Sequence, residues 1–271
     1  MSFSRSLCCV LSLAVLLVPA CAKKSEPPVA ATSSEQQAAA PSEACNGAVF
    51  QGQCVVMGNT VTFGNYHQAT ETPEPMEWIV LDIVPKAADA DGRILLLSKY
   101  VLAAMPYHNE DEEITWEACS LRSWLNDDFL NTAFDSSEKS QIIATHIETP
   151  ENPFTNESSG NATDDHIFLL SLEDALDKTD EVEGSGRYFS SDAERKAMAT
   201  KYATSNDVWV TPDGDTNSTC PNIQCSSLWW LRTLGATDGA TFVSNTGEVY
   251  RSGLVVNMVD MGVRPAMWVK Y

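Results

Sequence analysis

Apolar residues fall along the chain in short runs with two spacings, and each spacing predicts a different element. Val55 to Phe63, Met76 to Val84 and Ile94 to Leu97 are alternating or continuous apolar runs and predict strands. The second closes in the turn-rich stretch Pro85 to Gly92, whose Asp91-Gly92 pair introduces the third. Leu121, Trp124, Leu125 and Phe129 recur at helical spacing behind Ser120, a hydroxyl suited to capping the N-terminus. That stripe makes Trp124 a structural residue of the core. Asp135 with Glu138, and Ser171 with Asp174, are spaced as reciprocal caps; they predict a helix through about Ile143 and another from Ser171. Ser191 with Glu194 predicts a helix running toward Tyr202.

Glu148 to Asp165 is rich in Asn, Ser, Thr, Gly and Pro and predicts a long surface loop before a strand at Ile167 to Leu170. The last third predicts short strands at Leu228 to Leu231, Ala240 to Ser244, Glu248 to Tyr250, Leu254 to Asn257 and Ala266 to Lys270. Asn245-Thr246-Gly247 is the turn of a hairpin among them. The pattern predicts one α+β domain over residues 45–271, with short helices and irregular antiparallel sheets.

The N-terminus has its own pattern. Arg5, the apolar run Leu7 to Val18 and Pro19-Ala20-Cys21 make a secretion signal over 1–20, too short a run for a membrane span. The residues before Cys21 resemble a bacterial lipoprotein box, in which that cysteine is acylated and becomes the mature N-terminus; cleavage near Ala20 by an ordinary signal peptidase is the alternative. Seventeen of the 23 residues from Ala22 to Ala44 are Ala, Pro, Ser or Glu, so this stretch buries too little to fold and reads as a disordered linker. By the same resemblance, Ala22 after the acylated cysteine implies the outer membrane or cell surface. The lipid membrane is then a partner through the acyl chains.

Composition adds two exclusions. The formal charge is −20, from 17 Lys and Arg against 37 Asp and Glu, with no basic block, which argues against nucleic acid. Outside the signal and Cys21, five cysteines remain: Cys45, Cys54, Cys119, Cys220 and Cys225. In an oxidising compartment Cys45 with Cys54 and Cys220 with Cys225 are natural disulfides, leaving Cys119 as a buried free thiol. The histidines His67, His108, His146 and His166 are scattered and none lies near Cys220, so no metal and no cofactor is expected. Asp213-Gly214-Asp215-Thr216-Asn217 starts like a calcium loop, but Ser218 and Gln224 stand where such a loop needs Gly and Glu, which favours a plain turn.

Six ordered segments carry a resemblance: Val61-Thr-Phe-Gly-Asn-Tyr, Met76-Glu-Trp-Ile-Val-Leu-Asp, Leu95-Leu-Leu-Ser-Lys-Tyr-Val-Leu, Leu121-Arg-Ser-Trp-Leu-Asn-Asp-Asp-Phe-Leu, Trp229-Trp-Leu-Arg and Gly262-Val-Arg-Pro-Ala-Met-Trp. From about Val61 to Tyr271 the chain resembles a bacterial domain-of-unknown-function family, numbered 6273. That family resembles in turn the C-type-lectin-like domains of formylglycine-generating enzymes, which share a Trp-Arg motif in the late core and a Gly-x-Arg near the end. The resemblance implies a C-type-lectin-like fold and carries no chemistry, because the copper-binding cysteines and calcium signatures of those relatives have no match here.

No nucleophile elbow, zinc-protease or phosphate-loop motif is present, which argues against an enzyme. Trp229, Trp230 and Arg232 form the strongest cluster: either both rings are structural and Arg232 pairs with an acid, or one ring is a platform for sugar or peptide. Arg264 and Trp268 read as structural. Asp238, Asn245, Tyr250, Arg251, Asn257 and Asp260 surround the late turns and make the predicted binding face, from Leu228 through Asp260. The expected function is a lipid-anchored envelope protein that binds a glycan or protein; an accessory structural protein is the alternative, and a hydrolase follows it.

Overall fold

Strands in this chain break where glycine or a polar side chain takes over from the backbone ladder. A computed structural model describes residues 48–88, 90–176, 186–212, 225–236 and 238–271. Contacts divide the chain into Met1–Glu43 and Ala44–Tyr271, and the described residues all lie in the second unit. In chain order they form β1 (Ala48–Phe50), β2 (Gln53–Val55), β3 (Thr60–His67), β4 (Pro73–Val84), β5 (Arg93–Ser98) and β6 (Ala103–Ala104). A helical region follows: a 3₁₀ turn at Trp116–Ala118, α1 (Ser120–Trp124), a π-helical turn at Leu125–Phe129, α2 (Leu130–Ala133) and α3 (Ser136–Gln141). Next come β7 (Thr145–Ile147), β8 (Thr163–Asp165), α4 (Leu172–Ala175), α5 (Asp192–Arg195), β9 (Ala197–Met198), α6 (Lys201–Ser205), β10 (Val210–Pro212) and β11 (Cys225–Ser227). The chain ends in β12 (Trp229–Leu234), β13 (Gly239–Val243), β14 (Val249–Val255), β15 (Gly262–Val263) and β16 (Ala266–Lys270). The fold is mixed α+β, with short helices and several largely antiparallel sheets.

Two sheets carry the core. One has the order β16-β5-β4-β3, all antiparallel, and the other β14-β13-β12-β15-β6, with β12 and β15 parallel. Both neighbouring tryptophans of β12 are 0% exposed, because every residue of that strand is covered on both faces. Each indole N–H donates to a carbonyl, Trp229 to Arg195 at 3.2 Å and Trp230 to Met105 at 3.0 Å, so burial leaves neither donor unmet. Arg264 is buried beneath them, its guanidinium 4.9 Å from the Trp229 ring and donating to the carbonyls of Ser98 and Arg195. Burial pulls its pKa down to about 9. Gly262 is required at the parallel step, since a Cβ there would strike the Leu228 carbonyl.

The reciprocal caps at Asp135/Glu138 and Ser171/Asp174 both form. Several predicted elements are corrected. The N-cap of α1 is Cys119, whose sulfur accepts from the Arg122 N–H at 3.4 Å; the Ser120 hydroxyl is taken by the Asn109 N–H. The predicted strand Val55 to Phe63 is split by a turn at Gly58, where φ is +83°. The helix expected from Ser191 to Tyr202 breaks into α5 and α6, because Arg195 is buried and held by the Gly247 and Ala175 carbonyls. Residues 197–198 then pair with β11, and Thr200 caps a new helix.

Ile167 to Leu170 is not a strand: only Phe168 bridges, to Ala266, while side chains of Asn126 and Arg232 take the Ile167 and Leu169 carbonyls. Glu248 to Tyr250 and Leu254 to Asn257 merge into β14, which bends at Gly253 with φ +77°.

The polar stretch Glu148 to Asp165 runs along the surface as expected, with Glu148, Glu151, Asn156 and Asp164 exposed, but it is pinned to the domain by a few buried polar side chains. Asn152 and Ser159 are fully buried, and the Asn152 amide donates to the Leu234 and Arg251 carbonyls at 2.8 and 2.9 Å. Asp165 is buried too, accepting from Arg122, Trp116 and Thr163 at 2.7 to 2.9 Å. Polarity in this stretch serves hydrogen bonds inside the fold, which composition alone does not reveal. Among the described residues no helix is long and apolar enough to cross a membrane.

Candidate functional site

The late-turn residues do not converge. Asp238 lies at the β12–β13 turn and Asn257 follows β14 beside it, the Val256 N–H donating to the Asp238 carbonyl at 3.0 Å. Asp260 follows three residues later, its carbonyl accepting from the Trp209 N–H, whereas Asn245 sits in the β13–β14 turn at the opposite end. The intervening strand is about 17 Å long, so one small ligand cannot touch both ends. Tyr250 and Arg251 lie between them on β14. Tyr250 stacks on Phe242 at 4.7 Å and is 47% exposed, and the Arg251 guanidinium lies 4.0 Å from the Phe154 ring. Both border a broad cavity of about 800 Å³ that Asp192 and Glu248 also line.

Trp229, Trp230 and Arg232 belong to the interior, so neither ring offers solvent a binding platform. Trp124 is half-buried with its ring 5.3 Å from Phe129. Cys21, Cys45, Cys220 and the stretch Asp213 to Asn217 lie outside the described residues. Cys54 and Cys225 are each disulfide-bonded, and Cys119 is a free, buried thiol. Among the described residues, no three His, Cys, Asp or Glu side chains gather as a metal site would need.

A different place collects the polar chemistry. A cleft of about 290 Å³ opens against the β16–β5 side of the four-stranded sheet. Its floor comes from register: Trp268 pairs across from Leu95, and Arg93 follows on the same face of β5. The exposed Arg93 guanidinium rests 4.7 Å from the Trp268 ring. One wall is Thr145 to Glu148, and the other is Asp174 with Arg187 and Tyr188.

Arg232 builds the walls by reaching out of β12 through the core. It donates to the carbonyls of Leu169 at 2.8 Å and Glu148 at 3.0 Å, to the Thr149 hydroxyl at 3.2 Å and to the Asp174 carboxylate at 3.2 Å. One planar guanidinium thus ties three chain segments together. Asp174 is already fixed by its capping box, its carboxylate accepting from the Ser171 N–H at 2.8 Å. The Tyr188 N–H donates to the Asp174 carbonyl, and burial and then the Asp174 charge push the Tyr188 hydroxyl up to about 12. That hydroxyl remains a neutral hydrogen-bonding group at physiological pH, a poor base.

At the mouth, His146 lies 2.9 Å from Asp164 and 3.8 Å from Glu148, which sets acceptors along one rim. Across from them, Arg187 is exposed with its guanidinium 5.2 Å from the Tyr188 ring. Arg93 and Arg187 form no side-chain ion pair among the described residues, although the chain holds more than twice as many acids as bases. Two open guanidinium forks, a half-buried indole and carboxylate acceptors therefore share one small cavity. Such a set is chemically suited to holding a polar ligand.

A family model described as Domain of unknown function (DUF6273) matches residues 91–271. The chain belongs to that family. Searches of curated proteins and of solved structures found no match. The DUF6273 match starts after β4, so β3 and β4 lie outside it although β4 pairs with β5 from Trp78 to Val84. All cleft residues lie within it, from Arg93 to Trp268.

Sequence reasoning missed Arg93, His146, Glu148, Asp174, Arg187 and Tyr188 as a site. Ser171/Asp174 was legible only as a helix cap, and the cross-strand register that brings Arg93 to Trp268 has no local signal. Trp268, expected to be purely structural, is half-buried and faces the cleft.

Proposed function

We propose that this chain is a bacterial envelope lipoprotein, acylated at Cys21 and held on the outer membrane or cell surface, whose DUF6273 domain binds a glycan or a protein. The tether rests on residues 1–44: a short apolar signal, a cysteine at the end of a lipoprotein-like box, and a tract of Ala, Pro, Ser and Glu. The binding reading rests chiefly on one observation, the cleft in which Arg93 and Arg187, without an ion pair among the described residues, lie beside Trp268 and Tyr188. Binding pockets commonly combine an apolar or aromatic floor with a few convergent polar groups, and this cleft has that composition.

The fold is proposed to be a distant C-type-lectin-like one. Support comes from its mixed content and from the two late motifs, Trp229 to Arg232 and Gly262 to Arg264, both buried at the join between β12 and β15. No calcium-dependent sugar site follows from that likeness.

Two experiments test the proposal. Mass spectrometry of the membrane fraction should find an acylated Cys21 at the mature N-terminus, and Cys21→Ser should release the protein; a soluble chain beginning elsewhere refutes the tether. A glycan and peptidoglycan-fragment array, run with the wild type and with Trp268→Ala, should give signals that the substitution removes. An array blank for a folded protein favours the accessory structural role instead.

A further inference from the structure

Given that the cleft is the ligand site, we infer that its ligand is an acidic sugar, a uronic-acid unit of a glycan whose carboxylate is held by Arg93 and Arg187. Several observations point the same way. The first is charge. In a chain of net charge −20, arginines normally have carboxylates to pair with, yet among the described residues the Arg93 and Arg187 guanidiniums form no ion pair and rest on the faces of Trp268 and Tyr188. A guanidinium resting on a ring keeps its fork of N–H donors directed elsewhere, and that fork matches the geometry of a carboxylate.

The second is the opposite rim. Glu148 is an exposed acceptor and Thr145 a hydroxyl, while the Tyr188 hydroxyl stays protonated and able to donate. Acceptors on one wall, with Arg93 on the floor and Arg187 on the other wall beside an Asp174 carboxylate already paired with Arg232, suit a ligand bearing several hydroxyls and one carboxylate. A simple phosphate or sulfate would leave the acceptor wall without a partner and place an anion beside Glu148.

The third is the backbone. An extended peptide recognised by a sheet needs unpaired strand groups. Here β5 is paired on both sides, by β4 and β16. The far edge of β16 is closed as well: the Ile143 N–H donates to the Trp268 carbonyl at 2.8 Å, and Phe168 and Ala266 exchange both their bonds. No strand can be added at the cleft, so recognition falls to side chains. A volume of about 290 Å³ holds a sugar unit or two and not a helix.

The test is calorimetric titration of the folded protein with trigalacturonate, its methyl ester, cellotriose and a hexaglutamate peptide. It is run at about 0.15 M salt, where the Debye length is about 8 Å and long-range repulsion from the acidic surface is screened. Trigalacturonate should bind, with at least tenfold weaker binding of the ester and of cellotriose. Arg93→Gln and Arg187→Gln should each weaken it at least tenfold with melting temperature nearly unchanged, since both side chains are exposed, and Arg187→Lys should recover only part of the loss. Equal binding of the ester and the acid, still lost in Trp268→Ala, overturns the carboxylate assignment and leaves the cleft as the site. Trigalacturonate binding that ignores Arg93→Gln, Arg187→Gln and Trp268→Ala alike overturns the cleft reading itself. Tighter binding of hexaglutamate overturns the sugar assignment, and so does a flat titration with trigalacturonate at millimolar concentration.

Discussion

Arg232→Met isolates the connection that builds the cleft. Methionine keeps most of the side-chain length but none of the donors, so the carbonyls of Leu169 and Glu148, the Thr149 hydroxyl and the Asp174 carboxylate all lose a partner at once. The carboxylate dominates, because Asp174 is buried and removing one partner of a buried ion pair costs about 3–5 kcal/mol. Domains are stable by only about 5–15 kcal/mol, so the loss is a large fraction of the total. With a urea slope of about 3 kcal/mol/M for a domain of this size, the unfolding midpoint should fall by roughly 1–2 M. Adding Asp174→Leu should restore at least about 1 kcal/mol, since the orphaned charge disappears, even though the Ser171 cap is lost. A shift below about 1 kcal/mol for Arg232→Met, or no recovery in the double variant, would refute the claim that Arg232 holds these segments.

Other consequences are sharp enough to measure. Burial pushes the Cys119 thiol up to about 12 from an ordinary 9.0, so the folded state resists losing that proton and stability should fall as pH rises from about 9 toward 12. At about pH 10.5 the wild type should lose about 2 kcal/mol more than Cys119→Ala relative to pH 8, and iodoacetamide should label Cys119 only after unfolding; fast native labelling refutes its burial. Asn152→Ala removes the amide that donates to the Leu234 and Arg251 carbonyls and should cost about 2 kcal/mol, with new proteolytic cuts between residues 150 and 160; an unchanged melt and digest would contradict the pinning of this loop. Gly247 has φ +91° and no room for a Cβ against the Asp192 carbonyl, so Gly247→Ala should cost about 3 kcal/mol or more in chemical denaturation. A neutral result there means the hairpin does not press on residue 192.

Local signals were legible where local physics decides. Asp135 with Glu138 and Ser171 with Asp174 form their caps because a capping box involves residues three apart, and Asn245-Thr246-Gly247 turns the β13–β14 hairpin because Gly247 supplies the positive φ. What escaped the sequence depends on distant partners. The stretch Glu148 to Asp165 has the composition of a solvated loop, yet Asn152 spends its amide on two carbonyls about 80 and 100 residues away. The helix from Ser191 fails because the buried Arg195 answers carbonyls at 175 and 247, which no helical periodicity encodes. For the candidate site the same reasoning applies. Trp229 and Trp230 read as a possible platform because adjacent strand residues face opposite ways, but both faces of β12 are covered. The cleft needs Arg93, Arg187 and Trp268, three residues that only the register of β5 with β16 and the reach of Arg232 bring to one cavity.

The central claim is that ligand binding occurs in this cleft and not on the late turns. Two-dimensional NMR of the isotope-labelled domain during titration with trigalacturonate reads both places at once. The account predicts that the Nε–Hε signals of Arg93 and Arg187 and the indole signal of Trp268 shift together and saturate with one affinity, while Tyr250, Arg251 and Asn245 stay still. Shifts confined to Tyr250 and Arg251 beside the larger cavity, with the Trp268 indole unmoved, would contradict it.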